Sequence, residues 1–271
     1  MGLLKAIALG IVQGLTEFLP ISSSGHLVLA QQLFPSGIHR GLAFDVCLHF
    51  GTLLAVVGYF RADLFQMLRI VLGRESADAS SNPEAAYLGR WVWLLGIATV
   101  PVAVVGLSAK DTLHYMFGSI EAVGTALLLT AMFLMIASRN LDGQRGAGEL
   151  GVVDAIIIGS FQAVAIIPGV SRSGSTITGG LLRGLDASTA ARFSFLLSIP
   201  AILGAMITSA GEVSALVSED AGAVLAGVTA AALTGWLAIE VMMRAVKLGR
   251  LAPFAIYCVI LGAFALFTGV F

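Results

Sequence analysis

Residues 13–26 read QGLTEFLPISSSGH and residues 162–176 read QAVAIIPGVSRSGST. Each begins as an apolar helix and breaks, at Pro20 in the first and at Pro168-Gly169 in the second, into a short run of hydroxyls and glycine. Sliding the chain on itself by 149 residues superposes them without a gap: Gln13 meets Gln162, Ser22 meets Ser171, Ser24 meets Ser173 and Gly25 meets Gly174. The agreement spreads outward, placing Ala6-Ile7 on Ala155-Ile156, Gly10 on Gly159, Phe44 on Phe193 and Leu54 on Leu203. The chain therefore reads as a duplicated half, residues 1–140 and 151–271, joined by the Gly- and charge-rich linker Arg139 to Leu150. The departures are informative too: Glu17 faces Ile166, Ser23 faces Arg172 and His26 faces Ser175. A once symmetric site has divided its labour.

The surroundings of both motifs are oily. With 58% hydrophobic residues, 11% charged and a mean hydropathy of +0.95, the chain lies far from soluble domains, in which about 25% of residues are charged. It reads as a single all-α integral membrane domain over residues 1–271. Apolar runs at Val92 to Leu107, Val123 to Ala137, Ala221 to Ile239 and Phe254 to Phe271 approach the roughly 17 to 25 residues of a spanning helix once their flanks are counted. Nothing polar and long remains for a soluble domain, and a net charge of -1 gives no reason to expect nucleic acid. Cys47 and Cys258 stand in apolar runs, where free cysteine behaves as a small hydrophobe, so neither a disulfide nor a metal site is expected from them. The N-terminal segment, Lys5 followed by an apolar run, resembles a signal peptide. It lacks the small-residue cleavage pattern, so it is expected to stay.

The helix before Pro20 runs from about Ala6 to Leu19, which at 1.5 Å per residue is about 21 Å against a hydrocarbon core of roughly 30 Å. Its polar end should stop partway across, where broken backbone is tolerated only inside protein or beside water. That predicts two re-entrant helical hairpins, 6–34 and 155–183, the first returning through a short helix from His26 to about Leu33. Basic residues test this. Setting Arg172 aside, eight spans would divide the remaining Lys and Arg seven against seven. Six spans with two hairpins leave Lys5, Arg40 and Lys110 on one side and the other 11 on the opposite side, the bias that cytoplasmic loops carry. The predicted spans lie near Ala43–Phe60, Trp91–Leu107, Glu121–Ser138, Phe193–Ser209, Gly222–Val241 and Ala252–Phe271. Between them are expected a polar loop from Arg61 to Arg90, a turn through Lys110, Asp111 and His114, and an acidic loop at Glu212, Glu219 and Asp220. Three spans per half make the repeat inverted, with both termini outside and the hairpin tips able to meet.

Gln13 and Glu17 share a helix face at i,i+4. A carboxylate in a membrane segment costs about 2.5 to 3.5 kcal/mol and usually marks function. Two readings stand: Glu17 pairs with Arg172 to hold the hairpins together, or Glu17 with Gln13 binds a hard divalent cation that bridges phosphate oxygens. Ser22, Ser23, Ser24 and Gly25 open a short helix, where backbone N–H groups and hydroxyls make an anion site. Ser171, Arg172, Ser173, Gly174, Ser175 and Thr176 repeat the device and add a guanidinium, whose fork suits phosphate. Two facing anion cradles suggest a diphosphate. His26, three residues after Ser23, offers a proton shuttle beside a potential nucleophile. Asp45 and His49, also at i,i+4, are either structural or part of the site. His39 and His114 read as solvated, and Asp154 as a helix-start charge.

These residues resemble the undecaprenyl-diphosphatase family, the bacitracin-resistance type of integral membrane lipid phosphatase. The (E/Q)-x-x-x-E signature corresponds to Gln13–Glu17, flowing into FLP-x-SS-x-GH at Phe18–His26, and P-G-x-S-R-S-x-x-T corresponds to Pro168–Thr176. The resemblance covers essentially the whole chain. It implies hydrolysis of undecaprenyl diphosphate to the monophosphate and inorganic phosphate, recycling the carrier lipid of peptidoglycan synthesis at the outer face of the bacterial cytoplasmic membrane, with bacitracin resistance as a consequence. It further implies a Mg2+ or Ca2+ cofactor served by Gln13 and Glu17. Glu17, Ser23, His26 and Arg172 would form the catalytic centre, with Ser22, Ser24, Gly25, Ser171, Ser173, Gly174 and Thr176 around the diphosphate. Ser23 is the first choice for attack, with His26 as proton acceptor and then donor; His26 itself or a water activated by Glu17 are the other candidates. Gln13 is the less acidic variant of its motif. The partners expected are the polyprenyl diphosphate and the bilayer, and a homodimer stays open. The rival function is a polyprenyl-phosphate flippase, because transporters also use inverted repeats with broken helices.

Overall fold

The computed structural model describes residues 2–32, 41–75, 82–108, 116 and 119–269, and the regular elements among them are all helical. They are α1 (Leu3–Phe18), α2 (Ser23–Gln32), α3 (Gly41–Tyr59), α4 (Arg61–Val71), α5 (Pro83–Ser108), α6 (Ile120–Ser138), a 3₁₀ turn (Ala147–Glu149), α7 (Val152–Val164), α8 (Arg172–Leu182), α9 (Ala187–Thr208), α10 (Ala210–Lys247) and α11 (Ala252–Gly269). Five of these are long and apolar enough to cross a membrane, and up to six if the bent pair α3–α4 counts as one span. The expectation of a multi-span all-α membrane protein is met. His39, Arg40, Ser80, Lys110, Asp111 and His114, and the end of the first expected hairpin at residues 33–34, lie outside the described residues.

Local chemistry sets the breaks. Leu19, which precedes Pro20, adopts φ -66, ψ 139, because the proline ring excludes the α region for the residue before it. Helix α1 therefore stops at Phe18. Ser22 then takes φ 70, a left-handed conformation that costs a non-glycine residue strain and is concentrated at functional sites. In the second motif the left-handed residue is Gly169, at φ 96. Ser171 caps α8 by accepting from the Gly174 N–H at 3.1 Å.

Two expected loops are helices instead. Residues 61–71 form α4, bent 78° from the preceding helix. They contain no Gly or Pro to break a helix; Met67 packs inward while Phe65 and Leu68 stay exposed, and Asp63, which suggested a loop, is held by Arg192 from another helix. The acidic segment is likewise the first part of α10, whose good helix formers carry it to a single break at Asp220 (φ -148, ψ 58). There the Asp220 carboxylate accepts from the Ala223 N–H at 3.2 Å and restarts the helix.

Packing repeats across the two halves. Helix α1 lies along α10, and its counterpart α7 lies along α5. Gly10 is the reason on one side: a Cβ there would fall within 2.3 Å of the Gly227 carbonyl oxygen. Gly159, matched to Gly10 by the repeat, sits as closely on Ala98, where a Cβ would fall within 2.4 Å of the carbonyl oxygen. The large core is built from Phe18, Trp91, Phe193 and Phe195, all fully buried, with edge-to-face contacts Phe18–Phe195 and Trp91–Phe193 at 5.5 and 5.2 Å between ring centres.

Charged and polar side chains cross-link the helices. Arg192 pairs with Asp63 at 2.6 Å, Tyr59 donates to Glu240 at 2.8 Å and Arg90 donates to the Gly148 carbonyl. Asp154 is more than a helix-start charge: it accepts from Arg145 at 2.7 Å and Arg183 at 2.8 Å as well as from the Gly151 N–H. It ties the linker between the halves to the end of α8.

Candidate active site

The helix breaks that follow α1 and α7 touch, and the contacts are reciprocal. Ser24 Oγ accepts from the Gly169 N–H at 3.3 Å, while Ser173 Oγ donates to the Leu19 carbonyl at 3.3 Å. A Cβ on Gly25 would meet the Gly169 Cα at 3.3 Å, and one on Gly174 would meet Pro20 at 3.3 Å. Inside each tip the pattern is the same: Ser22 Oγ accepts from the Gly25 N–H and lies 3.2 Å from Ser24 Oγ, as Ser171 Oγ accepts from the Gly174 N–H and lies 3.2 Å from Ser173 Oγ. Thr130 on α6 braces the second tip, donating to the Gly169 carbonyl at 3.0 Å and accepting from the Ser171 N–H at 2.9 Å.

Where the repeats differ, their side chains converge on Glu17. Its Oε2 accepts from Ser23 Oγ at 2.6 Å and from Gln13 Nε2 at 3.0 Å. Its Oε1 accepts from Arg172 Nη2 at 2.7 Å. The carboxylate is 7% exposed, so the ion pair with Arg172 is desolvated and each partner needs the other. Arg172 also donates through Nη1 to the Ser194 carbonyl at 3.1 Å, and Thr176 shares a 2.6 Å bond with Ser194 Oγ. Ser171, Ser173 and Thr176 are buried and spend their hydroxyls on the protein. Ser23, Ser24, His26 and Arg172 keep some surface.

His26 belongs to a neighbouring group rather than to this cluster. Its Nδ1 lies 2.7 Å from the Ser22 carbonyl, which only accepts, so Nδ1 carries the proton. Nε2 is then an acceptor, and Tyr257 Oη, at 2.7 Å, donates to it. Ser23 turns its hydroxyl to Glu17, not to His26, so the proton acceptor that the geometry gives the serine is the carboxylate.

Sequence reasoning did not find Tyr257, Thr130 or Ser194, and left His49 undecided between a structural and a site role. His49 donates from Nδ1 to the Asp45 carbonyl at 2.7 Å and places Nε2 3.5 Å from Glu17 Oε2. Its i,i+4 spacing to Asp45 was a real signal of a helical bond, though to the backbone. No local pattern points to Tyr257, which arrives from the last helix.

The donor set also bears on a cation. Among the described residues no three His, Cys, Asp or Glu side chains gather as a metal cluster. The Gln13 Oε1, however, is buried without a hydrogen-bond partner on the amide whose nitrogen already holds Glu17. A buried acceptor in that state fits an oxygen-seeking cation.

A bundle of apolar helices enclosing a carboxylate, a guanidinium and a serine hydroxyl, with two helix starts meeting tip to tip, defines a polytopic membrane protein built around a buried polar site. Residues 6–264 match the family described as Bacitracin resistance protein BacA, and the chain belongs to that family. It is 41% identical to the undecaprenyl-diphosphatase of Methanobrevibacter smithii, over 97% of this chain and 96% of the relative. Likewise it is 44% identical to the undecaprenyl-diphosphatases of Syntrophotalea carbinolica, over 97% of each chain, and of Desulfosudis oleivorans, over 98% of each.

Proposed function

We propose that the chain is an undecaprenyl-diphosphate phosphatase, releasing inorganic phosphate and leaving the polyprenyl monophosphate. The observation that carries the reading is the Ser23 hydroxyl 2.6 Å from a carboxylate whose other oxygen binds Arg172, in a chain similar from end to end to relatives named for that hydrolysis. The polyprenyl tail lies in the apolar helical surface and the diphosphate enters at the meeting tips. Ser23 Oγ attacks the terminal phosphorus as its proton passes to Glu17 Oε2. The P–O bond to the bridging oxygen breaks, and the lipid monophosphate leaves. Water then attacks the phosphoserine phosphorus, the Ser23 Oγ–P bond breaks as Glu17 returns the proton to Ser23, and phosphate departs with the water's oxygen and both its protons. Arg172 holds the transferring oxygens, since positioning and charge stabilisation are most of phosphoryl-transfer catalysis. His26, oriented by Ser22 and Tyr257, holds a basic nitrogen beside the first helix start. A divalent cation held by Gln13 and Glu17 would supply further charge neutralisation on the phosphoryl oxygens.

The same proposal includes an inverted repeat with two re-entrant hairpins, 6–34 and 155–183, and both termini on the outer side of the cytoplasmic membrane. The reciprocal contacts of α1 with α10 and α7 with α5 support it. So does the Arg192–Asp63 pair, because eight spans would put these two residues on opposite sides. A cysteine at Ser80 that reacts with an impermeant reagent from outside intact cells would sink the topology.

The enzymatic test is phosphate release from undecaprenyl diphosphate by purified protein in detergent. Release that Arg172→Ala abolishes supports the phosphatase; no release by the wild-type chain, with lipid transfer retained in vesicles, would favour a carrier instead.

A further inference from the structure

Among the described residues His49 is the one imidazole against Glu17, and its tautomer can be read. Nδ1 faces the Asp45 carbonyl at 2.7 Å, so it carries a proton, and in the neutral ring the Nε2 lone pair points at Glu17 Oε2, 3.5 Å away. Oε2 already accepts from Ser23 and Gln13. An imidazole nitrogen 3.5 Å from a carboxylate oxygen that already accepts twice calls for a positive charge at the contact, either a proton on Nε2 or a bound cation. Donor atoms bound to a common ion at about 2.0 to 2.2 Å stand roughly 3.0 to 3.4 Å apart, close to the separation found. The buried Gln13 Oε1, without a hydrogen-bond partner, is a third donor on the same cluster. The side chain of His49 is 28% exposed against 6% for Glu17, so the cluster is reached from the His49 side.

We propose that His49 Nε2 is a ligand of the divalent cation, together with Glu17 and the amide oxygen of Gln13. The inference rests on the phosphatase reading of this site and adds a nitrogen donor to it. An imidazole biases the set away from calcium and toward a first-row transition ion such as manganese or zinc. Charge supports the arrangement: Glu17 and Arg172 cancel, and an anionic diphosphate entering between the tips then meets the two positive charges of the ion.

Pulsed electron paramagnetic resonance of Mn2+ bound to wild-type protein carrying 15N-histidine tests this without a mutation. The expected spectrum shows the coupling of a directly bound histidine nitrogen. In His49→Gln that coupling disappears and Mn2+ affinity falls by about tenfold or more. Bound Mn2+ with no histidine coupling, a coupling that survives in His49→Gln, or no Mn2+ uptake by the wild type would each overturn the proposal. Phosphate release measured on the same samples separates the two readings: an active protein without the coupling loses only the His49 ligand, and an inactive one with it loses only the phosphatase.

Discussion

Ser23 and Arg172 occupy matched positions 149 residues apart and close on opposite oxygens of one carboxylate, at 2.6 and 2.7 Å from Glu17. The start of α2 thus supplies a hydroxyl and the start of α8 a guanidinium to the same carboxylate.

Arg172→Lys is expected to be nearly as inactive as Arg172→Ala. The guanidinium spans Glu17 with Nη2 and the Ser194 carbonyl with Nη1, and an ammonium offers a single point of charge without that fork. Steady-state phosphate release should fall by about 10² to 10³ in kcat for both, and a lysine variant with near wild-type kcat would contradict the role given to the fork.

Tyr257→Phe removes one hydrogen bond, the O–H donated to His26 Nε2, and leaves the ring in place. Loss of a single neutral hydrogen bond corresponds to about 0.5 to 1.5 kcal/mol. The expected result is a two- to tenfold fall in kcat at unchanged KM, as such an energy implies, and His26→Ala should make the Tyr257 change silent. A full effect of Tyr257→Phe in the His26→Ala background would show that the tyrosine acts elsewhere.

Gly10→Ala and Gly159→Ala should destabilise the fold to similar degrees. In each, the new Cβ would lie 2.3 or 2.4 Å from a carbonyl oxygen on the facing helix, and overpacking of this kind costs about 1 to 3 kcal/mol. Thermal unfolding in detergent checks it; a loss confined to one of the two would argue against equivalent packing in the halves.

Asp154 links stability to pH. Burial alone pushes its carboxyl up, but hydrogen bonds from Arg145, the Gly151 N–H and Arg183 outweigh it and hold the pKa at about 2, below the ordinary 3.8. A carboxyl depressed on folding stabilises the fold above the unfolded pKa, and that contribution fades as pH falls from about 3.8 toward 2. The difference corresponds to ~2 kcal/mol. Asp154→Asn should lower thermal stability at neutral pH and flatten its decline between these limits, as measured by unfolding over a pH series.

The amino-acid sequence by itself determined the class of the protein and singled out the two motifs that hold its candidate site. Apolar content, a helix break in each motif at Pro20 and at Pro168-Gly169, and a carboxylate inside an apolar run are local features, and each is legible in a few consecutive residues. Local features also misled: charges in 61–71 and 212–220 read as loops because the roles that fit them into helices, Asp63 pairing with Arg192 and Asp220 capping at Ala223, are unseen in the sequence. Only the tertiary structure decided which side chains meet. Ser23 faces Glu17 rather than the nearer-looking His26, His49 turns to the carboxylate, and Tyr257 crosses 231 positions of sequence to reach His26. Those partners are set by how closely packed helices from the two halves lie against one another, and spacing along a chain carries no information about helices that touch only after folding.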